Sequence, residues 1–152
     1  MTQKELSNIL DDDIISKIDN KETIIANNAN IKDIIKYSID KLGDDADLNF
    51  IDVSKITDMN TLFYKSNFNG DISKWDVSSV KDMYGMFADS KFNGDISNWG
   101  VAKVENMSHM FFNSSFNQDI SKWDVSHVKY MYDMFFNSLF NQDVSNWNIK
   151  CD

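Results

Sequence analysis

The sequence has no arginine and no proline, one cysteine and only two histidines in 152 residues. Its 15 basic residues are therefore all lysines, and 24 acidic residues bring the formal net charge to -9. Phosphate groups and anionic lipids repel so acidic a chain, which makes nucleic acid and membrane surfaces unsuitable partners. The single Cys151 cannot form an intrachain disulfide, so cysteine usage does not identify the redox compartment.

Signals for targeting are also missing. No apolar run reaches the roughly 18 residues that a membrane-spanning helix needs. The first residues, MTQKELSNIL, lack the basic, apolar and cleavage regions of a secretory leader, and no cysteine near the start offers a lipidation site. As written, the chain is expected to be cytoplasmic and not inserted in a membrane, unless a leader has been removed.

What the sequence does contain is an internal repeat with a period of 24 residues. Each unit reads D-[IV]-S-x-W-[DG]-V-[SA]-x-V-x-x-M-x-x-M-F-x-x-S-x-F-N-[GQ]. The rows that recur at this spacing are Trp75, Trp99, Trp123 and Trp147; Phe68, Phe92, Phe116 and Phe140; and Asp71, Asp95, Asp119 and Asp143. We number the units repeat 1 (47–70, degenerate), repeat 2 (71–94), repeat 3 (95–118) and repeat 4 (119–142), with a half repeat at 143–152.

The periodicity within one unit predicts its local structure. Val80, Met83, Met86 and Phe87 have helical spacing, which predicts a short helix from about Ser79 to Ala88. The segment 69–77 alternates apolar and polar residues and is predicted to form a short strand and a turn. One unit buries too little apolar surface to offset the entropy of ordering its backbone, so only a stack of units should be stable. The predicted fold is an α/β repeat solenoid, with parallel strands on one side and short helices on the other.

Residues 1–46 have a different composition and are predicted to be helical. Ile31, Ile34, Ile35, Ile39 and Leu42 have helical spacing, with Asn30 as the expected N-cap and Gly43 as the stop. Two further short helices are predicted around residues 6–10 and 14–18. This region is interpreted as an N-terminal cap for the solenoid, which the lack of a Pro or Gly/Ser linker favours; a separate partner-binding module is the alternative.

The repeats also carry a family resemblance. FNGDISKWDVSSVKDMYGMF, FNGDISNWGVAKVENMSHMF and FNQDISKWDVSHVKYMYDMF resemble the repeats of BspA-family leucine-rich-repeat surface proteins, including the repeat lipoproteins of mycoplasmas. KDIIKYSIDKLGDDADLNFIDVSKITDMNTLF resembles their leading helix and first repeat. The resemblance covers roughly residues 31–152. It implies a bacterial protein with a leucine-rich-repeat-like scaffold for adhesion or protein binding, often at the cell surface.

Catalytic and metal sites find little support in the sequence. His109 and His127 occupy different repeat positions, so they predict neither a stacked row nor a nucleophile–base pair. A second cysteine, a phosphate-binding glycine loop and the H-E-x-x-H and C-x-x-C spacings are all missing. We therefore expect no enzymatic activity and no cofactor.

The aspartate row admits two interpretations. Stacked strands would bring Asp71, Asp95, Asp119 and Asp143 about 4.8 Å apart, where like charges repel. The favoured interpretation is that the turn amides and the hydroxyls of Ser73, Ser97, Ser121 and Ser145 bind these carboxylates. The alternative is that they bind calcium, which would make the chain a calcium-stabilised module. Asn69, Asn93, Asn117 and Asn141 are interpreted as satisfying buried backbone at the turn.

Two candidate interaction regions remain. The tryptophans are interpreted as core, so recognition should use positions that vary between repeats. Toward the C-terminus these become apolar, giving a partner-binding set of Phe112, Tyr130, Tyr132, Phe136 and Leu139; packing of the extra aromatics into loops is the alternative. The last half repeat lacks a cover, which predicts a homo-oligomer through residues 135–152 with Trp147, Ile149 and Cys151 at the interface. The expected function is protein binding, with a self-assembling structural subunit as the alternative.

Overall fold

The structure is a computed structural model that describes residues 2–149. It is a small mixed α/β fold with three helices, α1 (Gln3–Ile9), α2 (Asp12–Asn20) and α3 (Ile31–Leu42). Two short strands, β1 (Ile24–Ile25) and β2 (Ile51–Asp52), pair in parallel with Ile24 opposite Ile51. The three predicted N-terminal helices are confirmed, whereas the pairing of β1 with β2 was not predicted.

The helix ends follow from local side chains. Thr2 and Glu5 form a reciprocal capping box at the start of α1. Asp11 caps α2 by accepting a hydrogen bond from the N–H of Ile14. Helix α3 ends at Gly43, whose φ of 99° suits glycine.

Asn30 stands at the N-cap position of α3 as predicted, but its side chain does not cap the helix. Asn30 makes no side-chain hydrogen bond to the first turn of the helix. Its Oδ1 instead accepts from the backbone N–H of Asn27 at 2.9 Å. Asn27 Oδ1 in turn accepts from the N–H groups of Ala29 and Asn30, so the two asparagines stabilise the turn before α3.

The helix predicted at Ser79–Ala88 is wrong. Residues 84–88 lie in turns, in which Met86 N–H donates to the carbonyl of Met83 and Ala88 N–H to that of Gly85. A helix over residues 79–88 would require negative φ throughout, yet Gly85 has a φ of 58°. No helix occurs between residues 43 and 149, so the predicted layer of short helices is also wrong.

In residues 83–89 and their equivalents, backbone hydrogen bonds to the next repeat take the place of hydrogen bonds within a helix. In repeat 2, the N–H groups of residues 83, 85, 87 and 89 donate to the carbonyls of residues 106, 108, 110 and 112 at 2.8–3.0 Å. The same four bonds join repeats 1 and 2 and repeats 3 and 4. Hence the four segments 59–65, 83–89, 107–113 and 131–137, which we call the ladder segments, stack on one another. Isolated parallel bridges join the residues directly before these segments: Asp58 to Asp82, Asp82 to Asn106, and Asn106 to Tyr130.

The strand predicted over residues 69–77 is largely wrong. Within residues 2–149, its pairing is reduced to a single parallel bridge, between Asp47 and Asp71. Parallel pairing lies instead in the ladder segments, where a helix was predicted. Apolar spacing of three and four residues fitted a helix, but Met83, Met86 and Phe87 are fully buried in the turn conformation as well.

The core contains aromatic rings stacked at the 24-residue spacing, among buried aliphatic side chains and methionines. Phe87 stacks on Phe63 and on Phe111 with centroid distances of 5.4 and 5.6 Å, and Trp75 stacks on Trp99 at 6.3 Å. Each indole N–H donates to a carbonyl of the preceding repeat; the four acceptors are Leu48, Ile72, Ile96 and Ile120, at 3.0–3.1 Å. The interpretation of the tryptophans as core is confirmed, because the first three are 3–4% exposed.

The N-terminal region shares this core. Leu6, Ile18 and Ile34 belong to the same buried cluster as the phenylalanines of the repeats. Asn28 and Lys32 hydrogen-bond to Thr57 and Thr61 of repeat 1. The N-terminal region from residue 2 to residue 46 therefore lies against the first repeat. The division of the chain into a cap and the numbered units stays a prediction.

Candidate functional site

Exposed aromatic side chains are concentrated on one face of the ladder segments. The position equivalent to Tyr64 holds Ala88, Phe112 and Phe136 in successive repeats. The position four residues earlier holds Tyr84 in repeat 2 and Tyr132 in repeat 4. Exposed fractions are 61% for Phe136, 60% for Tyr132 and 48% for Tyr130. We call Tyr64, Tyr84, Phe112, Tyr130, Tyr132 and Phe136 the aromatic face.

The aromatic face is ordered by ring contacts and backbone bonds. Phe112 and Phe136 stack with a centroid distance of 5.6 Å, and Tyr130 lies 6.1 Å from Tyr132. The N–H of Tyr132 donates to Ser108 Oγ. These rings project from backbone held by the ladder hydrogen bonds, so a partner would not have to order flexible loops on binding.

The structure brings most of the predicted partner-binding residues together. Leu139, also in that set, lies three residues beyond Phe136; it is 68% exposed and its N–H donates to the Ser114 carbonyl. The alternative, in which the extra aromatics are buried in loops, fits only Phe112, which is partly buried. Sequence reasoning missed Tyr64 and Tyr84, although Tyr64 stands in the same repeat position as Phe112 and could have been found by that spacing.

A small cavity of about 230 Å³ opens within this face. It is lined by Tyr64, Tyr84, His109 and Phe112, among others. The His109 ring lies 5.4 Å from the Tyr84 ring and 5.3 Å from that of Phe112, and its Nε2 is 3.8 Å from Asp133 Oδ2. His127 instead lies beside Ser126 Oγ, so the two histidines have different surroundings.

The aspartate row is held by hydrogen bonds within each turn. Asp71 Oδ1 accepts from the N–H and the Oγ of Ser73, at 2.9 and 2.7 Å, and Asp95 does the same with Ser97. The serine hydroxyl and then its amide lower the pKa of Asp71 and Asp95, while the neighbouring aspartates raise the pKa of Asp95 slightly. Turn amides and serine hydroxyls therefore bind these carboxylates, as the favoured interpretation expected.

The arrangement of the acidic side chains gives no support to the calcium alternative. Among residues 2–149, histidine, cysteine, aspartate and glutamate side chains form no group of three or more arranged to hold a metal ion. Each carboxylate of the row already binds the serine two residues ahead in the chain, Asp119 and Asp143 included. Asp119 and Asp143 have lowered pKa values for the same reason, with the serine amide as the largest cause.

The asparagine row forms a second ladder. Asn69 Oδ1 accepts from the N–H of Asn93, Asn93 Oδ1 from that of Asn117, and Asn117 Oδ1 from that of Asn141, at 2.8–2.9 Å. The expectation of a structural role is confirmed. The backbone that these side chains satisfy belongs to the next repeat and is exposed, however, not buried.

The last repeat is less buried than those before it. Phe111 and Phe116 are fully buried, whereas their equivalents Phe135 and Phe140 are only partly buried. Trp147 is partly buried and stacks on Trp123 at 6.4 Å. Ile149, proposed from the sequence as an interface residue, is 51% exposed. Cys151, the third residue of that set, lies outside the described residues.

Comparison with known proteins assigns the family. A family model described as "Mycoplasma protein of unknown function, DUF285" matches residues 35–147, which is more than half of the chain. The chain therefore belongs to this family. Searches of curated proteins and of solved structures gave no significant match. No helix within residues 2–149 has the length and apolar character needed to cross a bilayer.

Proposed function

We propose that this DUF285-family chain is a non-catalytic protein-binding scaffold, built as a small solenoid of the BspA-like repeat type. The match to a family of mycoplasma proteins and the stacking of equivalent residues every 24 positions support the repeat architecture. Its function would be to present the aromatic face to another protein.

The observation that carries this proposal is the exposure of large apolar side chains at variable repeat positions. Interior positions such as Phe87 and Phe111 are the same in successive repeats because each ring packs on the next. Ala88, Phe112 and Phe136 differ, and exposure of the side chain rises from 5% at Ala88 to 61% at Phe136. Aromatic residues with a rigid backbone are typical anchors of protein interfaces.

The partner's chemistry follows from the surroundings of the face. A surface rich in tyrosine and phenylalanine favours a partner with an apolar patch. The chain's net charge of -9 would attract a partner that also carries basic residues around this patch. Nucleic acid and anionic lipid remain unsuitable for the same reason.

The test is affinity capture from the native cell extract with wild-type protein and with a triple variant, Phe112→Ser, Phe136→Ser and Leu139→Ser. The matched control is Ile9→Ser with Ile25→Ser, which removes two apolar side chains that are 54% and 60% exposed outside the face. We expect one captured protein to be lost with the triple variant alone, while the melting temperature of both variants stays close to wild type. Capture that both variants retain would contradict the proposal.

A second candidate, a self-assembling structural subunit, is favoured by the partly buried Phe135, Phe140 and Trp147 at the C-terminal end. Unpaired apolar surface at the end of a stack promotes association. Sedimentation or light scattering, with the protein at tens of micromolar, measures its mass in solution and so tests whether it self-assembles. A mass that stays at that of the monomer removes it without affecting the aromatic face.

A further inference from the structure

The cavity in the aromatic face lies where a repeating row of aromatic side chains is interrupted. The row holds Tyr64, Ala88, Phe112 and Phe136 in successive repeats. Phe112 and Phe136 are neighbours in this row, and their rings stack with a centroid distance of 5.6 Å. Ala88 has no ring to place between Tyr64 and Phe112, and the cavity of about 230 Å³ opens beside it.

Backbone hydrogen bonds fix the width of this gap. The N–H of Lys65 donates to the carbonyl of Ala88 at 3.0 Å, and the N–H of Asp89 donates to that of Phe112 at 2.8 Å. Tyr64 and Phe112 therefore lie two repeats apart, at about twice the spacing of rings that stack directly, which leaves room for one planar group between them. All the residues that line the cavity belong to repeats 1 to 3.

One carboxylate, that of Asp89, lines the cavity. Asp89 is partly exposed, and its Oδ1 accepts a hydrogen bond from Asn113 Nδ2. Within residues 2–149, no lysine or histidine forms an ion pair with this carboxylate. A carboxylate that a neighbouring amide holds in place, and that has no cationic partner, favours a ligand with a positive charge and N–H donors.

The aromatic walls favour a cation of a particular shape. Lys65 Nζ lies 5.2 Å from the centroid of the Tyr64 ring, so this ring already interacts with one cation. A guanidinium group is charged and also planar; it stacks on aromatic faces and donates two N–H groups to one carboxylate. An ammonium group has the charge without the planar shape. The chain contains no arginine, so none of its 152 residues can supply a guanidinium.

We propose that this cavity, which we call the arginine slot, binds the side chain of an arginine of the partner protein. The guanidinium lies between the rings of Tyr64 and Phe112 and donates to the carboxylate of Asp89. Tyr84 and His109 form the rest of the aromatic lining. This inference rests on the proposed function, because it names the residue that the partner inserts into the aromatic face.

The test is a titration of the full chain with N-acetylarginine methylamide, followed by NMR at pH 7 and constant ionic strength. We expect saturable shifts at the methyl group of Ala88 and at the rings of Tyr64 and Phe112. Two related probes separate charge from shape: the citrulline derivative is planar and neutral, and the lysine derivative is charged and not planar. Both should bind at least about fivefold more weakly than the arginine probe.

Variants of the slot test the same geometry. Asp89→Asn keeps an acceptor for Asn113 Nδ2 but removes the charge, and should bind the arginine probe about fivefold more weakly. Ala88→Phe fills the gap with the side chain that the row carries in repeats 3 and 4, and should abolish binding without lowering the melting temperature. Its matched control, Ala102→Phe, adds the same ring at an exposed position outside the face and should bind as wild type does. Lys65→Gln removes a nearby positive charge and should bind about twofold more tightly.

Shifts that do not saturate, or binding that Ala88→Phe retains, would overturn the proposal. Equal affinity for the citrulline or the lysine derivative would overturn the requirement for a planar cation. Tighter binding of free L-arginine than of the blocked probe would assign the slot to the amino acid instead of a protein. Affinity capture with Ala88→Phe separates this inference from the proposed function. A partner that Ala88→Phe captures and the triple variant loses would refute the slot alone, whereas a slot that binds the probe in a protein that captures no partner would refute the proposed function.

Discussion

The side chain of Asn28 occupies the place of a backbone carbonyl for Thr57. Asn28 Oδ1 accepts from the N–H of Thr57 at 3.1 Å, and Asn28 Nδ2 donates to Thr57 Oγ1 at 2.8 Å. One repeat later, the carbonyl of Thr57 accepts from the N–H of Lys81 at 2.8 Å. An asparagine of the N-terminal region thus replaces the repeat that would precede repeat 1.

We predict that Asn28→Ala lowers the free energy of unfolding by about 1 kcal/mol, because it leaves the Thr57 N–H without its acceptor. Asn28→Asp keeps an acceptor and should lose less. Urea unfolding followed by tryptophan fluorescence measures both, with the exposed Asn148→Ala as control. Equal stability of Asn28→Ala and the control would contradict this role for Asn28.

Lys65→Asn should stabilise the protein. Lys65 has a φ of 58°, a left-handed conformation that asparagine tolerates better than lysine, and the equivalent positions hold Asn113 and Asn137. We expect a gain of about 0.5–1 kcal/mol. Thermal unfolding measures the melting temperature of Lys65→Asn, with Lys55→Asn, at another exposed lysine, as the control. A melting temperature of Lys65→Asn no higher than that of Lys55→Asn would refute the strain argument.

The hydrogen bond of a tryptophan side chain should contribute more to the free energy of unfolding inside the stack than at Trp147. Trp99→Phe removes the donor to the buried Ile72 carbonyl, and we expect a loss of about 2 kcal/mol. Trp147→Phe removes the equivalent bond to Ile120 at a partly buried site, and should cost less than half as much. Denaturant unfolding measures the two variants, and equal losses would show that burial does not set the value of this bond.

Acid should destabilise the protein through the aspartate row. Serine hydroxyls and amides lower the folded-state pKa of Asp71 and Asp95 from 3.8, so the fold stabilises the charged form. That stability is complete above the unfolded-state pKa and is lost as the pH falls through the lowered folded-state pKa. Asp95→Asn keeps an acceptor for Ser97 but removes the negative charge that the hydrogen bonds from Ser97 stabilise, an effect larger than the repulsion from Asp71 and Asp119.

The measurement is unfolding by circular dichroism between pH 2 and pH 7. We expect Asp95→Asn to be less stable than wild type at pH 7, and the difference to shrink as the pH falls through the folded-state pKa of Asp95, because protonated Asp95 has also lost the charge. Asp45→Asn, at an exposed aspartate outside the row, is the control and should follow wild type. If Asp95→Asn is as stable as wild type at pH 7, the acceptor oxygen rather than the carboxylate charge stabilises the turn.

Periodicity predicted much of this molecule, because residues that pack on their own equivalents must recur. The rows of Trp75 and Phe68 and the hydrogen-bonded aspartates were found in this way, whereas the three N-terminal helices were found from the spacing of apolar residues within each helix. The helix over residues 79–88 was predicted wrongly by the same method. Spacings of three and four residues identify buried positions, and a run of turns with left-handed residues can bury the same positions as a helix does.

The aromatic face could be predicted in part. Variation between Ala88, Phe112 and Phe136 identified their shared repeat position as a candidate for recognition. Tyr64 was missed because repeat 1 is degenerate. Tyr84 was missed because the equivalent position holds tyrosine in only one of repeats 1 to 3. The pairing of the ladder segments could not be predicted, since it depends on which backbone groups face the following repeat.

The sequence by itself determined the period, the buried residues and the turn chemistry, since hydrophobicity and short-range hydrogen bonds are local properties of side chains. Only the tertiary structure decided how the backbone between Met83 and Asp89 is paired. A chain can satisfy its N–H groups within a helix or on a neighbouring segment at similar energetic cost, and stacked rings 24 residues apart favour the second.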